Sequence, residues 1–367
     1  MIESFAAVYS SEGTGHRAAA EALGEAFLSY NPGGRFHCFD LLDFIPSLLK
    51  FTVSQSYVAM ARYAPWLWGA FYWSSDRKGF SASALGETHD CLCRLYLPKF
   101  VRLMDALRVE AIAFTHYFGA AETAKLEEGN IPVFSVDTDF ESHRFQRRAE
   151  FAWSFSGSEV SVRLRVDEGI HNTNALGIPI ASKYKDRPSR EEARMRLGIG
   201  GDERVILVSG GGIGAGHLFA AAKSLASRED QLVIVICGGN AKQYARMKGY
   251  FRYKNNVWVE GFVRNMEDYY AAADAAVMKP GGLSTSEALC FGLPMLLFDP
   301  VPGQEELNLA YLTSHGAARH LTKASFAAEA VEAIFDGDSA RKMHEAALGI
   351  ARPNAADEII AKIVEMS

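Results

Sequence analysis

The stretch VILVSGGGIGAGH, at residues 205–217, joins a short apolar run to a loop rich in glycine. Such a run predicts a buried strand, and glycines directly after it are typical of a tight turn into a helix. The same order, FAAVYS and then SEGTGH, occurs at residues 5–16, and both loops end in Gly-x-Gly-His. One strand–glycine–helix unit near the start of each half predicts an α/β protein with two Rossmann-like domains, each built on a parallel sheet.

The rest of the chain agrees with this prediction, because apolar runs alternate with helical segments as parallel sheets require. The Pro-bearing polar stretch 177–189 predicts a linker between the two halves. We therefore expect an N-terminal domain at 1–180, a C-terminal domain at 181–352 and a terminal helix at 353–367. Further candidate strands lie at residues 36–39, 111–115, 133–136, 232–237, 257–259, 275–278 and 295–298.

The composition is that of an ordinary globular protein, with 49% hydrophobic and 22% charged residues among 367. A net charge of −6 argues against a nucleic-acid partner, which would need a basic surface. The five scattered cysteines suit a reducing compartment. The N-terminus has no features of a signal peptide, and no apolar run approaches the ~18 residues of a membrane-spanning helix. We therefore expect a cytoplasmic protein, with any membrane contact peripheral and from the cytoplasmic face.

The glycine loop at 210–216 would let a phosphate approach the backbone close to the start of a helix. Gly211, Gly212 and Gly214 are its candidate contacts, and a plain structural turn is the alternative. The next strand ends in CGGN at 237–240, without the acidic residue that holds the ribose of NAD. This half therefore does not read as a dinucleotide-binding domain.

The N-terminal loop leaves that possibility open. The segment GTGHRA at 13–18 fits a loosened dinucleotide fingerprint, and Asp40 closes the following strand. Against this, Glu12 would repel a pyrophosphate, and the side chain of His16 would crowd it. An NAD-dependent oxidoreductase is therefore kept as an alternative function.

The segment KPGGLSTSEAL, residues 279–289, follows an apolar run and predicts the first turns of a helix. Gly282, Ser284 and Thr285 would present backbone N–H groups and hydroxyls there, which suits a diphosphate. Glu287, one turn further, could accept hydrogen bonds from both hydroxyls of a ribose. The alternative is a capping box between Ser284 and Glu287, whose spacing fits equally well.

A second polar cluster, GQEELN at residues 303–308, follows the next apolar run. Gln304 and Glu305 in this cluster are suited to hydrogen bonds with sugar hydroxyls, and a surface helix start is the alternative. Together, the segments 279–289 and 303–308 resemble the monogalactosyldiacylglycerol synthase and processive diacylglycerol glucosyltransferase family. They are similar, more distantly, to the enzyme that adds N-acetylglucosamine to a lipid-linked peptidoglycan precursor.

The likeness extends over most of the chain, through residues 11–20, VDTDFESH at 136–143 and GIPI at 177–180. The resemblance implies a GT-B fold, in which two Rossmann-like domains face a central cleft. It also implies an inverting hexosyltransferase that uses a UDP-sugar as its substrate, with no metal and no further cofactor. The implied acceptor is a lipid, diacylglycerol or a glycosyldiacylglycerol.

The resemblance also assigns roles by position. His16 becomes the general base or the residue that orients it, and Asp139 is the second candidate. We expect the positive end of the first helix to lower the pKa of His16 and keep it neutral. The acceptor side is assigned to Gly15, Tyr63, Trp66 and His143. The donor side is assigned to Gly211, Gly212, Gly214, Phe262, Val263, Gly282, Ser284, Thr285, Glu287, Gln304 and Glu305.

Two departures from the family pattern keep further alternatives open. Glu12 stands in the glycine segment, and the Trp that often follows the mid-chain His is absent, with Phe145 nearby instead. A non-catalytic protein that binds a nucleotide-sugar or a lipid is therefore one alternative. A UDP-sugar epimerase of the same fold is another.

The region 44–73 is crowded with aromatic residues, among them Trp66. Aromatic, amphipathic segments with occasional basic residues can lie in a membrane interface. Together with the resemblance, this predicts a lipid-facing acceptor groove and a peripheral membrane contact. A packed helical subdomain over the first sheet is the alternative.

Overall fold

The computed structural model describes residues 2–11, 13–47, 50, 64–76, 84–126 and 130–367 and, apart from 65, 71 and 84–94, their side chains. Within these ranges the chain forms two parallel six-stranded sheets with helices between the strands. The predicted α/β class with two Rossmann-like domains is therefore confirmed.

The strands are β1 (Ser4–Tyr9), β2 (Arg35–Asp40), β3 (Ala111–Phe114), β4 (Val133–Val136), β5 (Trp153–Ser156), β6 (Thr173–Ala175), β7 (Arg204–Ser209), β8 (Gln231–Ile236), β9 (Val257–Glu260), β10 (Ala275–Met278), β11 (Met295–Leu297) and β12 (Ala318–His320). Strands β1 to β6 form the first sheet, in the order β2-β1-β3-β4-β5-β6. Strands β7 to β12 form the second, in the order β12-β11-β10-β7-β8-β9.

The helices are α1 (Thr14–Tyr30), α2 (Pro65–Ser75), α3 (Ala84–Ala106), α4 (Ala120–Leu126), α5 (Glu159–Asp167), α6 (Arg190–Leu197), α7 (Leu218–Leu225), α8 (Ala241–Tyr250), α9 (Met266–Ala272), α10 (Gly282–Cys290), α11 (Gln304–Ser314), α12 (Ala327–Phe335), α13 (Ser339–Ile350) and α14 (Ala355–Met366). Short single-turn helices lie at Leu41–Phe44, Arg144–Gln146, Ser182–Tyr184 and Ala324–Phe326.

The chain divides into two units. The first comprises Met1–Ser182, Val301–Gln304 and Arg352–Ser367, and the second comprises Lys183–Pro300 and Glu305–Ala351. The boundary expected after residue 180 lies two residues before Ser182. The segments 301–304 and 352–367 also belong to the first unit, and the second of them contains the predicted terminal helix, α14.

Packing explains why these two segments belong to the first unit. Helix α14 buries Ile359, Ile360 and Ile363 in the same core cluster as the apolar residues of β1 and α1. The segment Val301–Gln304 packs against α2, since a Cβ added at Gly303 would lie 2.4 Å from the ring of Tyr72. Such contacts join residues that are far apart in sequence, and no local sequence pattern predicts them.

The burial of the central strands explains why they could be predicted from apolar runs in the sequence. Every residue of β3, β4, β8 and β10 is buried, because helices cover both faces of a parallel sheet. Strands of this kind appear as continuous apolar runs, and the loops at their carboxyl ends carry the polar residues. Many of the candidate functional residues lie in those loops or in the first turns of the helices that follow them.

Candidate active site

Each sheet has one place where the order of its strands reverses. In the first sheet, β1 lies between β2 and β3; in the second, β7 lies between β8 and β10. The loops that leave the two sides of such a point diverge, and open α/β sheets bind their ligands in the resulting crevice at the carboxyl ends. His16 follows β1 and Ser284 follows β10, so each lies at the reversal point of its own unit.

His16 is the third residue of α1, directly after Gly15 in the first turn. Its Nδ1 lies 2.8 Å from the carbonyl oxygen of Thr115 and 3.0 Å from Oγ1 of Thr138. A carbonyl oxygen only accepts, so Nδ1 carries the proton of the neutral ring and the lone pair is on Nε2. The hydroxyl of Thr115 donates to the backbone oxygen of His16 at 2.8 Å, which ties the start of α1 to the end of β3.

The environment of His16 keeps the ring neutral. Burial lowers the pKa of His16, and the hydrogen bond to the backbone of Thr115 acts in the opposite direction. A lowered pKa is what the sequence predicts, although desolvation, and not the positive end of α1, is its main cause. At pH 7 the Nε2 nitrogen is therefore able to accept a proton.

A second histidine, His116, was not predicted from the sequence. Its ring meets that of His16 edge to face, with the ring centroids 4.6 Å apart. The Nδ1 of His116 accepts from the backbone N–H of Phe118 at 3.2 Å, so its Nε2 carries the proton of the neutral ring. A signal was available, because His116 directly follows a buried strand, where α/β sheets gather their ligand-binding residues.

The loop after β4 carries Thr138 and Asp139 and is held by a buried ion pair. The guanidinium of Arg165 on α5 donates to both carboxylate oxygens of Asp137, each at 2.8 Å. This bidentate contact fixes the start of the loop and, with it, the position of the Thr138 hydroxyl beside His16.

The position of Asp139 is shown by its effect on Tyr72. Burial raises the pKa of Tyr72, and the negative charge of Asp139 adds to the rise. Asp139 is therefore a near neighbour of that phenol.

His143, predicted on the acceptor side, has both ring nitrogens bonded within the protein. Its Nδ1 accepts from the N–H of Phe145 at 3.2 Å, and its Nε2 lies 3.1 Å from Oγ of Ser75, the last residue of α2. That hydroxyl donates to the carbonyl oxygen of Tyr72, so it accepts from Nε2. His143 is buried and fastens α2 to the loop after β4; contact of its ring with an acceptor is not supported.

Helix α2 has a buried side and an exposed side. Trp68 and Tyr72 are buried, whereas Trp66 is 73% exposed and Trp73 is 40% exposed. Trp66 and Trp73 are seven residues apart and therefore lie on the same side of the helix. Tyr63, the other aromatic residue predicted on the acceptor side, lies outside the described residues.

The glycine loop of the second unit packs closely against its neighbours. Gly211 and Gly214 have φ values of 70° and 65°, which favour glycine. A Cβ at Gly214 would lie 1.8 Å from the carbonyl oxygen of Cys237, so the loop touches the end of β8. The carbonyl oxygen of Gly212 accepts from the N–H of Gly239 at 2.9 Å. These contacts make the loop a rigid turn of fixed shape.

The start of α10 lies beside this loop, because a Cβ at Gly211 would be 3.9 Å from Oγ of Ser284. The helix begins at Gly282, with Gly281 as its N-cap, and Ser284 is the third helical residue. The capping-box alternative is therefore wrong, since the first residue of that motif precedes the helix. The first-turn N–H groups of residues 282–284 have no carbonyl partner within the helix and point toward its N-terminus.

Thr285 has a different role from the one predicted. Its side chain is buried, and its hydroxyl donates to the carbonyl oxygen of Gly281 at 2.8 Å. Its backbone N–H donates to the same oxygen at 3.0 Å. Thr285 therefore closes the first turn of α10, and its hydroxyl does not face a phosphate.

Glu287 lies one turn into α10, between two tyrosines. The phenol of Tyr270 donates to its Oε2 at 3.3 Å, and Tyr184 also hydrogen-bonds to the carboxylate. Burial raises the pKa of Glu287 to about 7, while the two tyrosines and the positive charge of Lys183 oppose the rise. A carboxyl group with so perturbed a pKa at the carboxyl edge of a sheet is a candidate for a binding or catalytic role.

The first turns of α11 are tied to the loop before α10. Nζ of Lys279 lies 2.9 Å from Oε2 of Glu305, and both side chains are mostly buried. The side-chain amide of Asn308 donates to the carbonyl oxygen of Pro280 at 3.0 Å. Glu305 is thereby held beside the N-terminus of α10, where the sequence predicts donor binding.

Gln304 and the loop after β9 complete the predicted donor residues. In the described structure, Oε1 of Gln304 is buried without a hydrogen-bond partner, which is costly unless a further donor reaches it. Phe262 is 67% exposed, and Val263 beside it is half-buried. The ring of Phe262 is thus free to pack on a planar group.

Two family models match the chain. Residues 16–180 match the model of monogalactosyldiacylglycerol (MGDG) synthase, and residues 189–348 match that of the group 1 glycosyl transferases. Among curated proteins, the processive diacylglycerol beta-glucosyltransferase of Bacillus cereus is 29% identical over 71% of this chain and 69% of its own length. Over most of its length the chain is therefore similar to the MGDG synthase and processive diacylglycerol glucosyltransferase family.

A second member of this family, the processive diacylglycerol beta-glucosyltransferase of Bacillus licheniformis, is 25% identical over 65% of this chain. The chain spans 63% of the length of that relative. Both family models describe glycosyltransferases, so the predicted enzyme class, a hexosyltransferase, is confirmed at the level of the family.

Solved structures resemble the whole chain. A UDP-glucosyltransferase from Polygonum tinctorium matches with a TM-score of 0.67 and 13% identity, over 100% of this chain and 99% of its own. MurG of Acinetobacter baumannii matches with a TM-score of 0.60 and 14% identity, over 99% of both chains. At these identities the likeness concerns the fold alone, and it is the GT-B fold that the sequence predicts.

Proposed function

We propose that this chain moves a hexose from a UDP-sugar to the hydroxyl of a lipid, diacylglycerol or a glycosyldiacylglycerol, with inversion at the anomeric carbon. Similarity to this family supports the transfer of a sugar to a lipid. The observation that carries the donor half is Glu287. Its carboxylate takes no part in capping α10, yet it lies one turn from an open helix N-terminus at the reversal point of the sheet.

The second unit would hold the donor through three kinds of contact. The N–H groups of residues 282–284, with Oγ of Ser284 and the glycine loop, are suited to the diphosphate. Glu287 is suited to the two ribose hydroxyls, since an ionised carboxylate accepts several hydrogen bonds. Phe262 would pack on the uracil with Val263 at its side, because an exposed ring stacks readily on a planar base.

The sugar itself would be held by Gln304 and Glu305. The unpaired Oε1 of Gln304 needs a donor, and a sugar hydroxyl supplies one. Glu305 has Lys279 at 2.9 Å on one oxygen, and a carboxylate is a strong acceptor for sugar hydroxyls. Sugars that differ at one hydroxyl would be distinguished by these contacts, since a buried polar group left unpaired costs free energy.

His16 would act as the general base. The proton of the acceptor hydroxyl passes to Nε2 as the acceptor oxygen bonds to the anomeric carbon. The bond from that carbon to the phosphate oxygen breaks at the same time, and its electron pair leaves with UDP. Thr115 and Thr138 orient the ring by fixing Nδ1. The helix N-terminus at α10 would stabilise the negative charge that develops on the departing diphosphate.

The acceptor side would meet a membrane surface through α2. Trp66, Leu67 and Trp73 are exposed on this helix, which carries no charged residue from Pro65 to Ser75. Aromatic side chains of this kind favour the membrane–water interface. No helix in the described part of the chain is long and apolar enough to cross a bilayer. We propose that α2 makes peripheral contact with a membrane at its cytoplasmic face.

The NAD alternative loses its main support. Asp40, which would have to hold the ribose, is buried and accepts from the backbone N–H of Leu42 at 3.1 Å. Nζ of Lys50 lies 2.8 Å from its other oxygen. The carboxylate that a dinucleotide requires is thus occupied by the protein.

In the test, the purified chain is incubated with mixed vesicles that contain diacylglycerol. Each reaction also contains one radiolabelled donor: UDP-glucose, UDP-galactose or UDP-N-acetylglucosamine. We expect label in the extracted lipid with at least one donor, release of UDP, and a β-linkage in the product by NMR. UDP should also raise the melting temperature, whereas NADH should not.

Each other outcome identifies an alternative. Binding of UDP without labelled lipid or released UDP would indicate a non-catalytic binding protein. Conversion of the free UDP-sugar to its epimer without an acceptor would indicate an epimerase. A thermal shift with NADH alone would point to an oxidoreductase and overturn the proposal.

A further inference from the structure

The second Gly-x-Gly-His sequence, at residues 214–217, ends in a histidine that the proposed function leaves unused. His217 follows the glycine loop and is the N-cap residue of α7. Its side chain is 77% exposed, so packing in a core does not explain why a histidine stands at this position. A polar residue at this place lies at the carboxyl edge of the sheet, at the reversal point between β7 and β10.

Asp299 holds His217 through two contacts to the same oxygen. Its Oδ2 lies 2.6 Å from Nδ1 of His217 and accepts from the backbone N–H of His217 at 2.7 Å. Because the carboxylate only accepts, Nδ1 carries a proton. Among the residues that the structure describes, none hydrogen-bonds to Nε2. The ring is therefore oriented by Asp299 with its second nitrogen available to a ligand.

The backbone at Asp299 is unusual. Its φ is 47°, in the left-handed region, and Arg108 is the other non-glycine residue with positive φ in the described part of the chain. Such a conformation costs free energy for a residue with a side chain and persists where the surroundings require it. The carboxylate also lies close to the residue before His217, because a Cβ on Gly216 would be 3.3 Å from Oδ2. Gly216 leaves that space open.

Two sources of positive charge lie near His217, and one of them, Lys279, is paired with Glu305 at 2.9 Å. Lys279 lies next to the same loop, since its Cδ would be 3.5 Å from a Cβ on Gly216. The N-terminus of α10 adds the partial positive charge of its N–H groups. An imidazole N–H group is a donor of the kind that phosphate oxygens accept from, and Nε2 is the ring nitrogen of His217 that Asp299 leaves available.

We propose that His217, oriented by Asp299, contacts the diphosphate of the donor through Nε2. This inference rests on the proposed UDP-sugar donor. His217 is then a binding residue for the phosphate group, and Asp299 is a positioning residue that acts through it. The two Gly-x-Gly-His sequences have parallel designs, since each anchors Nδ1 of its histidine on an oxygen atom and leaves Nε2 available.

The experiment compares ligands that differ only in their phosphates. Three full-length proteins are titrated calorimetrically with UDP and with uridine: the unaltered chain, the His217→Ala variant and the Asp299→Asn variant. We expect His217→Ala to weaken UDP about tenfold or more and to leave uridine within twofold. Asparagine tolerates the left-handed conformation and still accepts a hydrogen bond, so Asp299→Asn should weaken UDP by a smaller factor. His315→Ala, at another exposed histidine of the same unit, should change neither.

The remaining outcomes are distinct. Unchanged UDP affinity in His217→Ala would overturn the inference, as would an equal loss for uridine and UDP, which would indicate a general distortion. If the unaltered chain binds neither UDP nor uridine, the proposed donor itself is wrong.

Discussion

The Nδ1 nitrogen of His16 lies 2.8 Å from the carbonyl oxygen of Thr115, a residue 99 positions further along the chain. This contact decides which nitrogen of the ring can act as a base. The carbonyl oxygen requires a proton on Nδ1, and Nε2 therefore keeps the lone pair. Since a backbone carbonyl is present whatever the side chain at position 115, the tautomer is set by the fold.

Replacing His16 should stop catalysis and spare the donor. His16→Gln keeps the size and polarity of the side chain but cannot take up a proton at neutral pH. We expect kcat to fall about 10²–10⁴-fold, the usual contribution of a general base, while the Kd of UDP stays within twofold. His171→Gln, at an exposed histidine of the same unit, is the matched control and should retain full activity. Sugar transfer near the normal rate in the His16→Gln variant would show that His16 is not the general base.

Binding of uridine should depend on pH through Glu287. Burial raises the pKa of this carboxyl to about 7, and the ribose hydroxyls need its ionised form. At pH 6 only about a tenth of the carboxyl groups are ionised, so uridine should bind about tenfold more weakly than at pH 8. Calorimetry with uridine avoids the titration of the phosphate groups. In Glu287→Gln the affinity should be low and independent of pH; a pH dependence that survives there would come from another group.

The same carboxyl should cost stability at high pH in the absence of ligand. Its pKa in the folded chain is above the ordinary 4.5, so the folded state binds the proton more tightly than the unfolded state. The stability that this provides is full below about pH 4.5 and is lost as the pH rises through about 7. Glu287→Gln should therefore raise the melting temperature more at pH 8 than at pH 5. Equal shifts at both pH values would contradict the assignment of the raised pKa.

Attachment to membranes should depend on the exposed side of α2. Trp66→Ser together with Trp73→Ser removes two aromatic side chains that are 73% and 40% exposed. Burying a large apolar side chain contributes about 1.5–3 kcal/mol, so we expect binding to diacylglycerol-containing vesicles to fall at least tenfold in a sedimentation assay. Tyr253→Ser, at an aromatic residue that is 82% exposed in the second unit, should leave binding unchanged. Full vesicle binding by the double variant would assign the lipid contact to another surface.

The glycine loop should tolerate no side chain at Gly214. Gly214→Ala requires a φ of 65° and brings a Cβ to 1.8 Å from the carbonyl oxygen of Cys237. The conformational cost and the clash together should destabilise the fold by about 2–5 kcal/mol in chemical denaturation. Gly249→Ala in α8, where a Cβ meets no atom within 4 Å, should instead be neutral or stabilise by up to about 1 kcal/mol. A neutral effect at Gly214 would mean that the loop rearranges easily.

The donor motif shows how far spacing alone can lead. The segment 279–289 predicts a helix start with polar groups facing a ligand, and α10 begins inside it at Gly282. Spacing could not separate a ribose contact from a capping box at Ser284 and Glu287. The position of the N-cap excludes the capping box, and this position depends on where β10 ends and the chain turns. The tyrosines on either side of Glu287 come from residues 184 and 270, which no local pattern connects to it.

The sequence by itself determined the two parallel sheets and their glycine loops. These features follow from apolar periodicity and from the freedom of glycine in φ, which act over a few residues. Only the tertiary structure decided that Thr115 fixes the tautomer of His16, that His143 is an anchor for α2, and that α14 belongs to the first unit. Such contacts join residues of distant strands and helices, and they depend on the order in which the strands pair. That order is set by the packing of the whole unit and cannot be predicted from any short segment of the sequence.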